Sequence, residues 1–395
     1  MMRKSALITA TFSLTIAFLA ACSKDENTSS YPNIEAAFGT NINLSQLENY
    51  AAQSRPAYIT KDNSGANPIS NNKATLGRVL FYDKSLSIDN TISCASCHQQ
   101  AFAFSDPLVA SKGVQGGTTN RHSMRLINTR FGNELKFFWD ERAATLESQT
   151  TQPIQDHAEM GFSGQNGRPN FSALLTKLQN IGYYQELFQF TYGNQLVTEA
   201  RLQECLSQFI RSIQSFDSKY DVGRAQVPND GPPFPNFTQQ ENQGKQLFQA
   251  PPQFGPGGIR IGGGAGCAGC HRVPEFDIDP NSRNNGRTGR IVGTNPDFTN
   301  TRSPSLRDLT SNTGIVHSPM MHDGSLNSLR DVILHYNTIV VQPGNNNLDP
   351  RLTPGGVGQQ LQLTDTEINA MVAFLRTLSG SNVYTDKKWS NPFVR

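Results

Sequence analysis

The chain lacks a charge imbalance, a long apolar run in its body, and more than a handful of cysteines. Its 34 Lys and Arg nearly balance 32 Asp and Glu, leaving a net charge of +2. No basic stripe stands out, which excludes nucleic acid or another polyanion as a partner. The one sustained apolar stretch, Ala6 to Ala21, is too short and too early for an ordinary membrane span. Hydrophobic residues make up only 36% of the 395, against 33 Gly and 22 Pro, so much of the chain is expected as loop. Strand signals are few, and the fold class expected is mainly α.

What is present is a five-residue motif that occurs twice: Cys94-Ala95-Ser96-Cys97-His98 and Cys267-Ala268-Gly269-Cys270-His271. Chance, given 6 Cys and 7 His in 395 residues, yields about 0.002 copies. Zinc ribbons place their Cys pairs about 15–20 residues apart, whereas His98 and His271 are 173 residues apart (271 − 98). Vicinal disulfides would not require a His after each second Cys. The motif has its own chemistry: two thiols one turn apart form thioethers with haem vinyl groups, and the adjoining imidazole ligates iron. Two covalent haem c groups are therefore expected, on Cys94, Cys97 and His98 and on Cys267, Cys270 and His271. Each porphyrin would supply apolar core that the side chains do not.

The N-terminus reads as an export signal. Arg3 and Lys4 precede the apolar run, so 1–21 is taken as a signal peptide. Leu19-Ala20-Ala21-Cys22 resembles a bacterial lipobox, in which Cys22 is the lipidated first residue of the mature chain. A lipid anchor would then be the only membrane attachment. Ser23 after it resembles outer-membrane retention, and Lys24-Asp25-Glu26 resembles a surface-export signal but reads first as a solvated tether. The expected location is the periplasmic face of the outer membrane, with the cell surface as the alternative.

Residues 22–65, without a sustained period, read as tether and lead-in. An N-terminal haem domain is expected over 66–226, a proline-rich linker over 227–237, and a C-terminal haem domain over 238–395. Helical spacing marks 73–82 and 172–190. It is clearest over 199–216, where Leu202, Cys205, Leu206, Phe209, Ile210, Ile213 and Phe216 share a face, so Cys205 reads as a buried thiol. Thr238 and Glu241 form a capping box. The segment after it, Gly244-Lys245-Gln246-Leu247-Phe248, echoes Gly77-Arg78-Val79-Leu80-Phe81, as in a duplicated cytochrome c-like unit. Gly262 to Gly266 reads as flexible loop rather than a dinucleotide site, since no strand–helix frame surrounds it. Asp277 to Asn281 opens like a calcium loop but lacks Gly at the sixth position and Glu at the twelfth.

In order and spacing, the residues resemble the bacterial di-haem cytochrome c peroxidases and their MauG-like relatives. The likeness runs over about 72–380: Leu76-Gly77-Arg78, the first haem motif, Phe137-Phe138-Trp139-Asp140-Glu141-Arg142, Leu146-Glu147-Ser148-Gln149, Pro153-Ile154 and Glu159-Met160. It continues through Ser303-Pro304-Ser305-Leu306-Arg307 and Met321-His322-Asp323-Gly324-Ser325. The resemblance implies a peroxide site at the haem of His98 and electron delivery at the haem of His271. It implies Trp139 between the haems, and Glu159 with Gln149 beside it as the catalytic pocket. Some relatives close the resting haem with a His where this chain has Val114, so an open site is expected, with His122 and His157 as the histidines able to swing in. The sixth ligand of the second haem aligns with Tyr336, as in MauG-like proteins, and Met320, Met321 and His335 are its rivals. His122 replaces an Asn that helps bind calcium in the family, which leaves calcium optional.

The activity implied is a cytochrome-c peroxidase-type oxidoreductase that reduces hydrogen peroxide to water with electrons from a small cytochrome c, a cupredoxin or a quinol-linked donor. A MauG-like oxidase of a partner protein and a non-enzymatic electron-transfer lipoprotein are the competing readings. Homodimers occur in the family.

Overall fold

Two helix crossings, one in each half of the chain, organise the molecule, and both depend on a glycine. Asn71–Tyr82 crosses Glu199–Ser212 at Gly77, where a Cβ would stand 2.0 Å from the Cys205 carbonyl oxygen. Gln239–Gln249 crosses Asp365–Arg376 at Gly244, where a Cβ would stand 1.9 Å from the Ala370 carbonyl oxygen. Four positions beyond each glycine a phenylalanine packs across the crossing. Phe81 lies 5.1 Å from Phe209, and Phe248 lies 5.3 Å from Phe374, centroid to centroid. The echo in sequence is therefore an echo in packing.

The computed structural model describes residues 31–133 and 135–394. The expected signal peptide and Cys22 lie outside the described residues. In chain order the helices are α1 (Pro32–Phe38), α2 (Asn71–Tyr82), α3 (Cys94–Cys97), α4 (Leu146–Thr150), α5 (Gln152–Gln155), α6 (Phe171–Gln179) and α7 (Gly182–Tyr192). They continue as α8 (Glu199–Ser212), α9 (Lys219–Arg224), α10 (Gln239–Gln249), α11 (Leu329–Asn337), α12 (Asp365–Arg376) and α13 (Asn382–Thr385). Strand among the described residues is confined to two antiparallel hairpins. β1 (Pro252–Phe254) pairs with β2 (Arg260–Gly263), and β3 (His271–Arg272) pairs with β4 (Asp277–Ile278). The mainly α expectation matches this content.

Local chemistry sets the helix ends. Thr238 caps α10 with Glu241 reciprocating, as its sequence implies. The expected helix over 172–190 is two helices, because Asn180 closes α6 and Ile181 is extended. The expected helix over 199–216 stops at Ser212: Ile213 turns extended, and its carbonyl accepts from the Asn128 N–H. Cys205 is buried, with Tyr192 Oη 3.3 Å from its sulfur.

The lead-in is corrected from Pro32 on. It is not a tether there, because α1 lies on α7, Phe38 packs against Tyr183 and Phe393, and Glu186 accepts from the Asn33 and Ile34 N–H groups. Gly262–Gly266 is likewise not a flexible loop. It leaves β2 tightly packed, with a Gly264 Cβ only 2.4 Å from the Ala250 carbonyl oxygen. The Val227–Phe237 segment folds onto the second half, where Phe234 and Phe237 join the core and Lys245 Nζ donates to the Asp230 and Pro232 carbonyls.

From Pro32 onward the chain forms one compact unit. Ion pairs join its halves: buried Arg307 with Asp221 at 2.8 Å, buried Arg302 with Glu141, and half-buried Lys61 with Asp277 at 2.8 Å. No helix among the described residues is long and apolar enough to cross a membrane.

Candidate haem sites and peroxidatic pocket

The first Cys-x-x-Cys-His segment is held by its own short-range bonds. The Ser93 N–H donates to Ser96 Oγ at 3.0 Å, winding Cys94–Cys97 into one turn, and the His98 N–H donates to the Cys94 carbonyl at 2.9 Å. Ala103 and Phe104 both take positive φ, which turns the Phe104 carbonyl back to within 3.0 Å of His98 Nδ1. Ser123 Oγ lies 3.2 Å from the same nitrogen and donates to the Cys97 carbonyl at 2.6 Å. With Nδ1 committed, Nε2 is the ring nitrogen left for a metal. Burial lowers the His98 pKa, which keeps the imidazole neutral, as a ligand must be. Burial also pushes the Cys94 and Cys97 thiols up to about 12.

A cavity of about 460 Å³ opens beside this turn, lined by Cys94, Cys97, His98, Phe81, Leu206 and Ile210 and, among others, by Trp139, Gln149 and Glu159. The three residues singled out in the sequence thus share one cavity with His98. Glu159 sits on a turn fixed by Asp156, whose Oδ1 accepts the N–H groups of Ala158 at 2.8 Å and Glu159 at 3.0 Å. The Ser111–Gly117 loop lies directly on this turn. The Val114 N–H donates to the Glu159 carbonyl at 3.0 Å, and a Cβ at Gly113 would come within 1.9 Å of the Ala158 carbonyl oxygen. Burial, and secondarily the Asp156 charge, raise the Glu159 pKa to about 7, against the opposing pull of Arg142.

Val114 is buried and offers no ligand atom. His122 lines the cavity, but its Nδ1 is 3.0 Å from the Leu108 carbonyl and its Nε2 is 3.5 Å from Ser105 Oγ. The ring is thus engaged at both nitrogens. His157 Nδ1 is paired with Ser163 Oγ at 2.9 Å, and the residue is not part of the cavity wall.

Trp139 lies where the halves meet. Its Nε1–H donates to the His122 carbonyl at 2.7 Å, its own carbonyl accepts from the Arg302 N–H at 2.8 Å, and its ring is 6.2 Å from the His322 ring. The His122 N–H in turn donates to the His322 carbonyl at 2.8 Å, so backbone and ring contacts both bridge the halves.

The second attachment segment differs from the first. Cys267–Gly269 is a short turn preceded by Gly266 at positive φ, and His271 begins β3. His271 Nδ1 is buried without a hydrogen-bond partner, and burial lowers the ring's pKa to about 4. Two of the sixth-ligand candidates converge on one amide. Asn285 Nδ2 donates to Tyr336 Oη at 3.3 Å and approaches Met321 Sδ at 3.8 Å. Burial raises the Tyr336 pKa; the Asn285 bond opposes this, and the Cys270 and Cys267 thiols add to it. His335 Nε2 is held by the Asn285 carbonyl at 3.0 Å, and Met320 is in the apolar core. Nothing in the sequence flags Asn285: it lies far from both partners along the chain, and an isolated Asn in a loop carries no pattern.

The two cysteine pairs stay apart. None of the five described cysteines is in a disulfide, and no cluster of three or more His, Cys, Asp or Glu forms a metal cage among the described residues. A zinc ribbon, which needs the pairs together, does not fit, and no calcium cage of such residues forms. Covalent haem fits: at each motif two thiols and a neutral imidazole are grouped, and at the first they open onto a cavity with Nε2 unclaimed.

A mainly helical fold carrying two separate Cys-x-x-Cys-His segments fits a di-haem c-type cytochrome. Residues 71–226 match the family described as di-haem cytochrome c peroxidase. The methylamine utilization protein MauG of Methylophilus methylotrophus is 27% identical over 325 residues, covering 80% of this chain and 84% of that protein. Cytochrome c551 peroxidase of Nitrosomonas europaea is 24% identical over 324 residues, covering 79% and 81%. A crystal structure of a MauG-like protein associated with microbial copper homeostasis superposes with a TM-score of 0.64 at 25% identity, over 86% of this chain and 98% of that one. The diheme peroxidase BthA from Burkholderia thailandensis E264 shares the fold, with a TM-score of 0.61 at 21% identity over 86% and 90%. The match over residues 71–226 and relatives that span about four-fifths of the chain together support the di-haem cytochrome c peroxidase and MauG family, which implies two c-type haems.

Proposed function

We propose that the protein reduces hydrogen peroxide to water at the N-terminal site, with electrons delivered through the C-terminal one. The observation that carries this is Glu159: a carboxyl on the wall of the His98 cavity, poised by burial at about 7, where it exchanges a proton near neutral pH. When bound, a c-type haem supplies an iron centre that takes up peroxide and exchanges electrons. His98 would hold the iron through Nε2, with its Nδ1–H bond to the Phe104 carbonyl raising its basicity. The Glu159 carboxylate would take a proton from one peroxide oxygen and return it to the leaving oxygen, and the Gln149 amide on the same wall would orient the peroxide. Val114 offers no atom that could ligate iron, so no prior reduction would be needed to release such a ligand. Trp139 shortens the electron path between the halves.

His271 and Tyr336 would hold the second iron. A phenolate is a hard donor that favours ferric iron and a low potential. The donor is a small redox partner: a cytochrome c, a cupredoxin or a quinol-linked protein. The division into haem domains at 66–226 and 238–395, the lipid anchor at Cys22 and the periplasmic face of the outer membrane complete the proposal. Calcium and a homodimer are compatible with it.

Tyr336, held by Asn285, favours a second reading as well, since relatives named MauG share the family: peroxide-dependent oxidation of a partner protein. Stopped-flow mixing of peroxide with the diferric and mixed-valence protein, followed by a reduced donor, separates the two. Fast turnover lost in Glu159→Gln supports the peroxidase. A long-lived oxidised state with slow turnover supports the partner-protein oxidase, and no reaction with peroxide refutes both.

A further inference from the structure

The wall of the first cavity carries several cations, and most are neutralised within the protein. Arg121 pairs with Asp140 and Asp297, Arg302 pairs with Glu141, and Arg142 pairs with Asp140 while lying 3.5 Å over the Phe138 ring. Arg125, on the same wall, differs. Its Nε is buried with no hydrogen-bond partner, and its guanidinium forms no ion pair among the described residues. Asp308 acts on it electrostatically but does not pair with it: Oδ1 accepts from the Gly380 N–H at 2.9 Å and from Tyr384 Oη at 3.2 Å, and Oδ2 is buried without a hydrogen-bond partner. Tyr384 also donates to the Thr310 carbonyl at 2.9 Å and is not free to turn. Burial lowers the Arg125 pKa only to about 10, so the group is a cation at any physiological pH.

A desolvated guanidinium with five donors and no ion-paired anion is a costly arrangement unless an anion arrives from outside the polypeptide. The group that the Cys94–His98 attachment chemistry calls for brings two carboxylates on its porphyrin edge. We propose that Arg125 is the clamp for a propionate of the N-terminal haem, and that its charge sets that haem apart from the C-terminal one in reduction potential. Arg125 is a positioning residue: it touches the porphyrin edge and not the reacting oxygen. Its planar fork matches a carboxylate with two parallel N–H···O bonds, which fixes the rotation of the ring about its thioether edge as well as its charge. A cation there disfavours the ferric state, so its removal should lower the midpoint potential. The proposal rests on a haem occupying this cavity and not on peroxide turnover.

The test compares the diferric holoprotein with Arg125→Met and Arg125→Lys. Covalent haem is counted by pyridine haemochromogen, midpoints are read by spectroelectrochemistry, and propionate bending bands by resonance Raman. In Arg125→Met the N-terminal haem should titrate at lower potential with shifted propionate bands, the C-terminal haem should not move, and Arg125→Lys should reverse the change at least in part. If Arg125→Met carries one haem instead of two, recovery of the second in Arg125→Lys supports the clamp equally. Unchanged midpoint and bands with both haems present overturn it, as does any change that lysine does not reverse. A wild-type protein with one haem or none would refute the haem assignment itself, and the haem count reports that separately.

Discussion

Replacing Glu159 by Gln should slow the enzyme and, at alkaline pH, stabilise it. The two effects have one origin. The carboxyl is pushed from 4.5 to about 7 by burial in the cavity wall and by the neighbouring Asp156 charge. A carboxyl whose folded pKa lies above its unfolded one favours folding in its neutral form. That contribution is fully present below about 4.5 and is lost as pH rises through about 7. At 1.36 kcal/mol per pH unit, the interval corresponds to about 3 kcal/mol against the wild type well above neutrality. Gln keeps the shape without the charge. Denaturant titrations of the holoprotein should therefore show Glu159→Gln equal to wild type near pH 4.5 and more stable by about 3 kcal/mol at pH 9. Peroxide turnover with a reduced donor should fall by about 10²–10⁴-fold. The wild-type kcat/KM should climb with pH to a plateau above about 7, where the carboxylate that takes the first proton prevails, and the variant should lack that inflection. Turnover within tenfold of wild type at all pH values, or a stability difference that does not change with pH, would refute the reasoning.

Gly77→Ala and Gly244→Ala should each destabilise by about 3 kcal/mol in denaturant titrations, because the added Cβ meets a carbonyl oxygen that cannot move without parting two helices. Arg307→Met should cost about 3 kcal/mol, read as a lower urea midpoint, since it strands buried Asp221 without its guanidinium. Tyr336→Phe should alter the optical and EPR spectra of the C-terminal haem while Met321→Ala leaves them in place; a thioether band near 695 nm that vanishes in Met321→Ala would reverse the assignment. Trp139→Phe should leave peroxide binding intact but slow electron transfer between the halves in flash-reduction experiments, because it removes the indole that bonds the His122 carbonyl and packs on the His322 ring.

Local signals were legible wherever neighbours in sequence act on one another. The Thr238 and Glu241 box caps α10 as its spacing implies, and α8 buries Leu202, Cys205, Leu206, Phe209 and Ile210 as its period implies. The errors fell where distant contacts override local character. The lead-in reads as polar tether, yet α1 is drawn onto α7 by Phe38 and by Glu186. Gly262–Gly266 reads as flexible, yet glycine is there because backbone from 247–252 leaves no room for a side chain. Ile213 ends α8 early because Asn128 claims its carbonyl.

The sequence by itself determined the cofactor chemistry and the duplicated plan. Thioether attachment and proximal ligation need only two thiols and an imidazole within five residues, and a helix crossing needs only a glycine in an apolar frame. The tertiary structure decided what distinguishes the two sites. His98 Nδ1 meets a carbonyl and His271 Nδ1 meets nothing; Glu159 acquires a near-neutral pKa; Asn285 gathers Tyr336 and Met321; Arg125 forms no ion pair among the described residues. Each of these properties depends on desolvation or on contacts that only the folded backbone makes, and neither can be read from a residue type.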